Sequence, residues 1–249
     1  MITLKTPAEI KIMREAGRIA AQSLLVGGEL VRPGVTTAEI DRAMHDFIVS
    51  KGAEPTCLGY CGFPNTVCIS VNNVVIHGIP GKQVLHEGDI VSLDVCATYK
   101  GFVGDTAFTF PCGRVSPEAQ RLLDVTKESL RLGIEAAQAG KRLGDVSSTV
   151  QTYVEQNGFS VVRDYTGHGI GREMHESPEV PNYGHPGRGA RLLPGMTFTI
   201  EPMVNQKGFG VNTDRHDGWT VRTNDGGLSA HFEHTLAITD NGPIVLTQP

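Results

Sequence analysis

Apolar residues recur along this chain at two periods, and the alternation between them divides it into blocks. Thr6-Pro7-Ala8-Glu9 carries a capping-box pattern with proline at the first helical position, and Ile10, Met13, Ala20 and Leu24 follow at helical spacing up to Gly27-Gly28. A second helix is predicted from Thr36, with Ile40, Met44, Phe47 and Ile48 on one stripe and a stop at Gly52. Past a turn-rich stretch from Glu54 to Asn65, β-branched runs predict strands at 67–71, 74–76, 90–98 and 102–110. Helical spacing returns from Ser116-Pro117 through Leu122, Leu123, Leu130 and Ile134 to Gly140, and again in Val146, Val150, Tyr153 and Val154 up to Gly158. Strand signals then gather around Val161-Val162, Met196 to Val204, Trp219 to Thr223 and Ala230 to Ile238.

The order helix, helix, strands thus occurs twice. At an offset of 106, Gly34, Ile40, Met44, Phe47, Ile48 and Gly52 fall on Gly140, Val146, Val150, Tyr153, Val154 and Gly158. At 107, Gly88, Val91, Ser92, Leu93 and Asp94 fall on Gly195, Phe198, Thr199, Ile200 and Glu201. His77-Gly78-Ile79 matches His168-Gly169-Ile170 at 91, which leaves 16 additional residues in the second half. Amphipathic helices and β-branched strands also align by chance, but three motifs keeping one order favour an internal duplication about a pseudo-twofold axis.

Composition narrows the class. No window of the 249 residues approaches the roughly 18 unbroken apolar positions of a membrane span, and charges at Lys5, Glu9, Lys11, Arg14 and Glu15 break any signal-peptide pattern. A cytoplasmic location is expected, with no membrane partner. A net charge of -5 argues against nucleic acid as a partner. The five cysteines are an odd set without a zinc-knuckle spacing, which fits a reducing compartment.

The candidate chemistry lies in carboxylates placed inside apolar strands. Asp94 interrupts Ile90 to Cys96, and Asp105 lies in the next run. A tight turn centred on Tyr99-Lys100 would set the two directly opposite each other, side chains roughly 5 Å apart. Bare carboxylates so placed repel unless a proton or cation sits between them. Glu201 and Glu233 supply matching acids in the second half, strand alternation puts His231 on the face of Glu233 and Phe232 on the other, and His168 stands among Gly167, Gly169 and Gly171. Acids in strands also occur at bulges and edges. Together, though, these residues make a set suited to two divalent ions of the manganese, iron, cobalt or zinc kind, as in two-metal hydrolases. No nucleophile elbow, His-Glu-x-x-His helix, phosphate loop or dinucleotide fingerprint is present.

From about Pro7 to Val245 the chain resembles the methionine aminopeptidases of the short type I form. The resemblance is carried by Cys57-Leu58-Gly59-Tyr60, His77-Gly78-Ile79-Pro80, Gly88 to Asp94, Gly101 to Thr106, Gly167 to Gly171, His175-Glu176, Pro194 to Met196, Ile200-Glu201-Pro202, Asp217 to Thr220 and Glu233-His234-Thr235. It implies an α+β pita-bread fold with a curved, mainly antiparallel sheet, as a single catalytic domain over 1–249 with halves of about 1–113 and 114–249. It also implies that Asp94 holds one metal, that Asp105 and Glu233 bridge two, and that His168 and Glu201 complete the second site. The implied activity removes the initiator methionine from nascent polypeptides whose second residue is small, through a hydroxide bridging the two ions. In that scheme Glu201 relays the proton, His175 stabilises the oxyanion and His77 bonds the substrate backbone. Cys57, Tyr60, Phe63, Cys68, Trp219 and Phe232 would line the methionine pocket, although the two cysteines also fit inert buried thiols. A monomer is expected, and contact with the ribosome is left open. His231 stands where relatives often carry glutamine, and Met174 where many carry phenylalanine. A prolyl peptidase would use the same ligands, and a metal-free binding protein would have lost them.

Overall fold

A computed structural model describes residues 1–249. Helix α1 spans Pro7–Glu29 and α2 spans Thr37–Ser50, each opened by a threonine whose hydroxyl accepts the N3 amide while the N3 glutamate reaches back to the cap. Helices α3 (Pro117–Ala136) and α4 (Leu143–Gln156) repeat the pair in the second half. The 14-residue helices α2 and α4 are displaced by 106 positions at both ends, the offset read from their apolar stripes. Helix α1 runs through Gly27-Gly28 rather than stopping there. A Cβ on Gly27 would overlap Met44 and Leu93, and one on Gly28 would overlap the Phe110 ring, so these glycines let the helix lie close on α2 and the sheet.

A nine-stranded antiparallel sheet runs through both halves. In the first half, Val67–Val71 and Glu54–Pro55 pair with Ile90–Tyr99, which pairs with Phe102–Pro111. In the second, Glu233–Thr239 joins Thr197–Ile200, which joins Gly167–Gly169 and then Glu176–Val180. Within this sheet the halves meet where Phe102–Pro111 pairs with Glu233–Thr239, over Ala107 with Glu233 and Thr106 with His234, and a second ladder joins them where Val221–Thr223 pairs with Val74–Ile76. One apolar cluster around Ile40, Met44, Leu93 and Val95 backs the first half, and another around Leu122, Val150, Phe198 and Leu236 backs the second.

Three expectations from the sequence are corrected. The hairpin turn is Lys100-Gly101, both with positive φ (49° and 75°), so Asp94 pairs with Ala107 and Asp105 with Cys96. A two-residue turn matched to strand twist needs left-handed conformations at both central positions, and Gly101 supplies the second one without steric cost. The two aspartates are therefore diagonal neighbours, still on one face because the slip is by two residues. The run from Met196 to Val204 breaks at Glu201-Pro202 into Thr197–Ile200 and Met203–Asn205. The run from Ala230 to Ile238 breaks at Phe232 into Ser229–His231 and Glu233–Thr239.

Threonines carry the contact between halves where the ladder is short. Thr235 Oγ1 accepts the Asp105 amide (3.1 Å) and donates to the Asp105 carbonyl (2.7 Å), while Thr106 Oγ1 donates to the Glu233 carbonyl (2.8 Å). Thr109 Oγ1 donates to the His231 carbonyl and accepts its amide (2.8 and 2.9 Å). Thr235→Val, nearly the same shape, should leave the amide and carbonyl of Asp105 without this partner and lower stability by about 2–4 kcal/mol, read as a fall in the urea midpoint at unchanged m-value.

Candidate metal centre

The antiparallel registers place Cys68, Asp94, Ala107 and Glu233 in one row across four strands. Ala107 separates two acids in that row with the smallest side chain that keeps strand geometry, and Asp105 stands two residues along on the same face. Glu201 lies just past the end of Thr197–Ile200, beside Glu233 rather than beside His234. His168 enters from the adjoining three-residue strand. Its amide donates to Thr199 Oγ1 (3.0 Å), and its Nδ1 lies 3.0 Å from the Gly169 carbonyl. Donation from Nδ1 puts the proton on that nitrogen and leaves Nε2 as an acceptor facing the acids.

Ligand atoms of Asp105, His168 and Glu233 lie within 4.8 Å of one another. His168 Nε2 is 3.7 Å from Asp105 Oδ2 and 3.6 Å from Glu201 Oε1, and the latter oxygen also accepts Thr199 Oγ1 at 2.8 Å. Asp94 lines the same cavity, partly exposed to it. Asp105 Oδ1 and Glu233 Oε1 are buried with no hydrogen-bond partner. Such atoms are costly unless something else satisfies them, and hard-to-borderline divalent cations match this oxygen-rich set with one imidazole.

Desolvation is the main cause of every shift among these groups. It pushes the carboxyls of Asp94 and Glu201 up to about 8 and that of Asp105 up to about 7, with the charge of Asp105 adding to the effect on Asp94 and that of Glu201 to the effect on Asp105. Glu233 is raised well above its ordinary range, first by burial and then by the surrounding acids. Burial pulls His168 down to about 4, so its imidazole is neutral and ready to coordinate. His77 is also pulled to about 4, and His175 is lowered, again by desolvation.

Around the acids the cavity, about 180 Å³ and open to solvent, is lined by Cys57, Tyr60, Phe63, Cys68, His77, His175 and Trp219. Phe63 meets Trp219 edge-on at 5.2 Å, and the His77 ring stands edge-on between Tyr165 and Trp219. His77 has φ of 57°, a left-handed conformation uncommon for a non-glycine residue and often found at functional sites. Tyr60 Oη is 2.7 Å from His175 Nδ1, and the His168 and His175 rings are 4.2 Å apart. The structure brings together all the residues singled out in the sequence except Phe232. That ring points to the opposite side of the sheet and packs against Phe108 at 4.7 Å, as strand alternation requires. Thr199 and Asn182, which donates to the Glu201 carbonyl at 2.9 Å, were not anticipated. Thr199 could have been found from the alternation Thr197, Thr199, Glu201; nothing local marks Asn182. Met174, Cys96, Ile76, Tyr165 and Thr166 complete the lining.

Chemistry of this kind is that of a metallohydrolase. Residues 11–240 match the description of metallopeptidase family M24, and the chain belongs to that family, which uses divalent metal. Among its relatives, the methionine aminopeptidase of Clostridium perfringens is 54% identical over 247 residues, 99% of each chain. The crystal structure of the methionine aminopeptidase of Thermotoga maritima superposes with a TM-score of 0.98 at 45% identity, covering 100% of both chains. A prolidase from Pyrococcus furiosus, 23% identical with a TM-score of 0.79, covers 99% of this chain with 65% of its own and shares the fold. The pita-bread fold expected from the sequence is the one found.

Raised carboxyl pKa values tie stability to pH with a definite sign. Between about pH 6.5 and 8 the unfolded chain has ionised these acids, while the metal-free native state gives up its protons only within the window, Asp105 near 7 and Asp94 and Glu201 near 8. Stability of metal-free protein should therefore fall as pH rises through this window, by roughly 1 kcal/mol per pH unit for each proton retained. The buried histidines are neutral in both states over most of the window and do not offset this. Added Mn²⁺ should abolish the decline, so the difference in Tm with and without the ion widens from pH 6.5 to 8; thermal melts in EDTA and in Mn²⁺ check it.

Proposed function

We propose that this protein is a methionyl aminopeptidase that releases the N-terminal methionine of nascent polypeptides with a small second residue, and that Asp94, Asp105, His168, Glu201 and Glu233 hold two divalent ions. The convergence of these five donors at the floor of an aromatic and thiol-lined cavity carries the reading, and the relatives of closely similar length support it. Five unpaired cysteines are consistent with action in the cytoplasm. The whole of 1–249 serves as one catalytic domain, since both halves contribute donors.

Divalent ions bound there would polarise the scissile carbonyl and acidify water. The chain's own groups do the rest. Glu201 takes the proton of the attacking water and returns it to the leaving amide nitrogen. Tyr60, donating its hydroxyl to His175 Nδ1, leaves the other imidazole nitrogen protonated as a donor to the developing oxyanion. His77, held between Tyr165 and Trp219, hydrogen-bonds the substrate backbone. Cys57, Tyr60, Phe63, Cys68 and Trp219 form a polarizable slot for a thioether, with Met174 beside it. An enzyme acting before proline would use the same donors, but the prolidase from Pyrococcus furiosus is 23% identical against 54% for the methionine aminopeptidase of Clostridium perfringens.

Release of methionine from Met-Ala-Ser should be abolished by EDTA and restored by Mn²⁺ or Co²⁺, with Xaa-Pro peptides left intact; cleavage of the latter alone would overturn the assignment. His175→Ala should lower kcat by about 10²-fold while metal content is unchanged, measured by steady-state kinetics with elemental analysis.

A further inference from the structure

His231 is 2% exposed, and neither of its ring nitrogens has a hydrogen-bond partner. Buried polar groups are ordinarily satisfied, and a leucine in the same volume would leave nothing orphaned. Its backbone leaves the ring little freedom to find a partner elsewhere. Thr109 holds both its amide and its carbonyl, and the residue is laddered to Met203. The ring points at the metal centre, with Nε2 3.7 Å from Glu201 Oε2. Glu201 is held only at its other oxygen, where Thr199 donates at 2.8 Å.

We infer that His231 is a positioning residue for Glu201, donating its Nε2 proton to Glu201 Oε2. The present separation is too long for a hydrogen bond, and a shift of Oε2 toward the ring by less than about 1 Å would close it. Glu201 would then be gripped at both oxygens, by Thr199 at Oε1 and by His231 at Oε2. Each carboxylate oxygen has two acceptor directions, so one at each remains free for a cation and for the water proton. Fixing the plane of the carboxylate fixes where those directions point. The ring thus acts through Glu201 without touching the substrate. This inference rests on the role assigned above to Glu201, and it predicts that a donor at this position is needed and an aromatic ring is not.

Calorimetric titration of metal-free protein with Mn²⁺, in the absence of any peptide, tests the inference apart from the peptidase assignment. His231→Leu should weaken Mn²⁺ binding by about tenfold, in the range seen when outer hydrogen bonds to metal ligands are lost. His231→Gln, whose amide offers an N–H at similar reach, should recover affinity to within about threefold. With Met-Ala-Ser at saturating Mn²⁺, kcat of the leucine variant should fall by 10- to 100-fold with KM changed by less than about twofold. Circular dichroism and Tm of each variant establish that it is folded. A folded leucine variant with wild-type Mn²⁺ affinity would overturn the inference, and so would a folded glutamine variant as weak as the leucine variant.

Discussion

Four carboxyl groups share a space from which most water is excluded, and the architecture around them follows from making that tolerable. Asp105, Glu201 and Glu233 are each no more than 9% exposed, and Asp105 Oδ1 and Glu233 Oε1 are fully buried without a protein partner. Left alone, the acids keep protons far above their ordinary range. Supplied with cations, they would release those protons and serve as ligands, so the same burial that penalises free charge favours a bound cation. The neutral His168 belongs to the same logic, because a desolvated imidazole with its Nδ1 turned to a carbonyl presents a lone pair and no competing charge.

What holds these groups in register is mostly uncharged. The row from Cys68 through Asp94 and Ala107 to Glu233 is a consequence of backbone ladders, and within the nine-stranded sheet only two residue pairs of ladder join the halves, with two more where Val74–Ile76 meets Val221–Thr223. Threonine hydroxyls extend that junction, each pairing with backbone groups beside a metal-facing residue: Thr235 at Asp105, Thr106 at Glu233 and Thr109 at His231. A hydroxyl both donates and accepts, so one side chain can satisfy an amide and a carbonyl where strands diverge too far for direct pairing.

Much of this was legible in the chain. Strand and helix positions followed from periodicity, the four acids stand out because carboxylates inside β-branched runs need a reason, and His168 stands out by its flanking glycines. The Asp94–Asp105 register was misplaced by two residues because it depends on which pair of residues takes positive φ, and Gly101 decides that more strongly than the spacing of the acids. Phe232 was assigned to the pocket on family resemblance although alternation pointed it away, and alternation prevailed. The break after Glu201 is marked locally by Pro202, which cannot continue a ladder, whereas nothing local marks the one at Phe232. The threonine contacts were illegible for another reason: partners such as Asp105 and Thr235 are 130 residues apart, and no local pattern reports their meeting.

The seam between the halves also divides the proposed ligand set, with Asp94 and Asp105 on one side and His168, Glu201 and Glu233 on the other. Neither piece carries all five of these residues. Bound ions would therefore work as rivets across the fold, resisting any breathing that parts the two layers of core. Were the chain cut near residue 113, capture of the ions would become a meeting of separate molecules, and catalysis would depend on dilution where the intact chain does not.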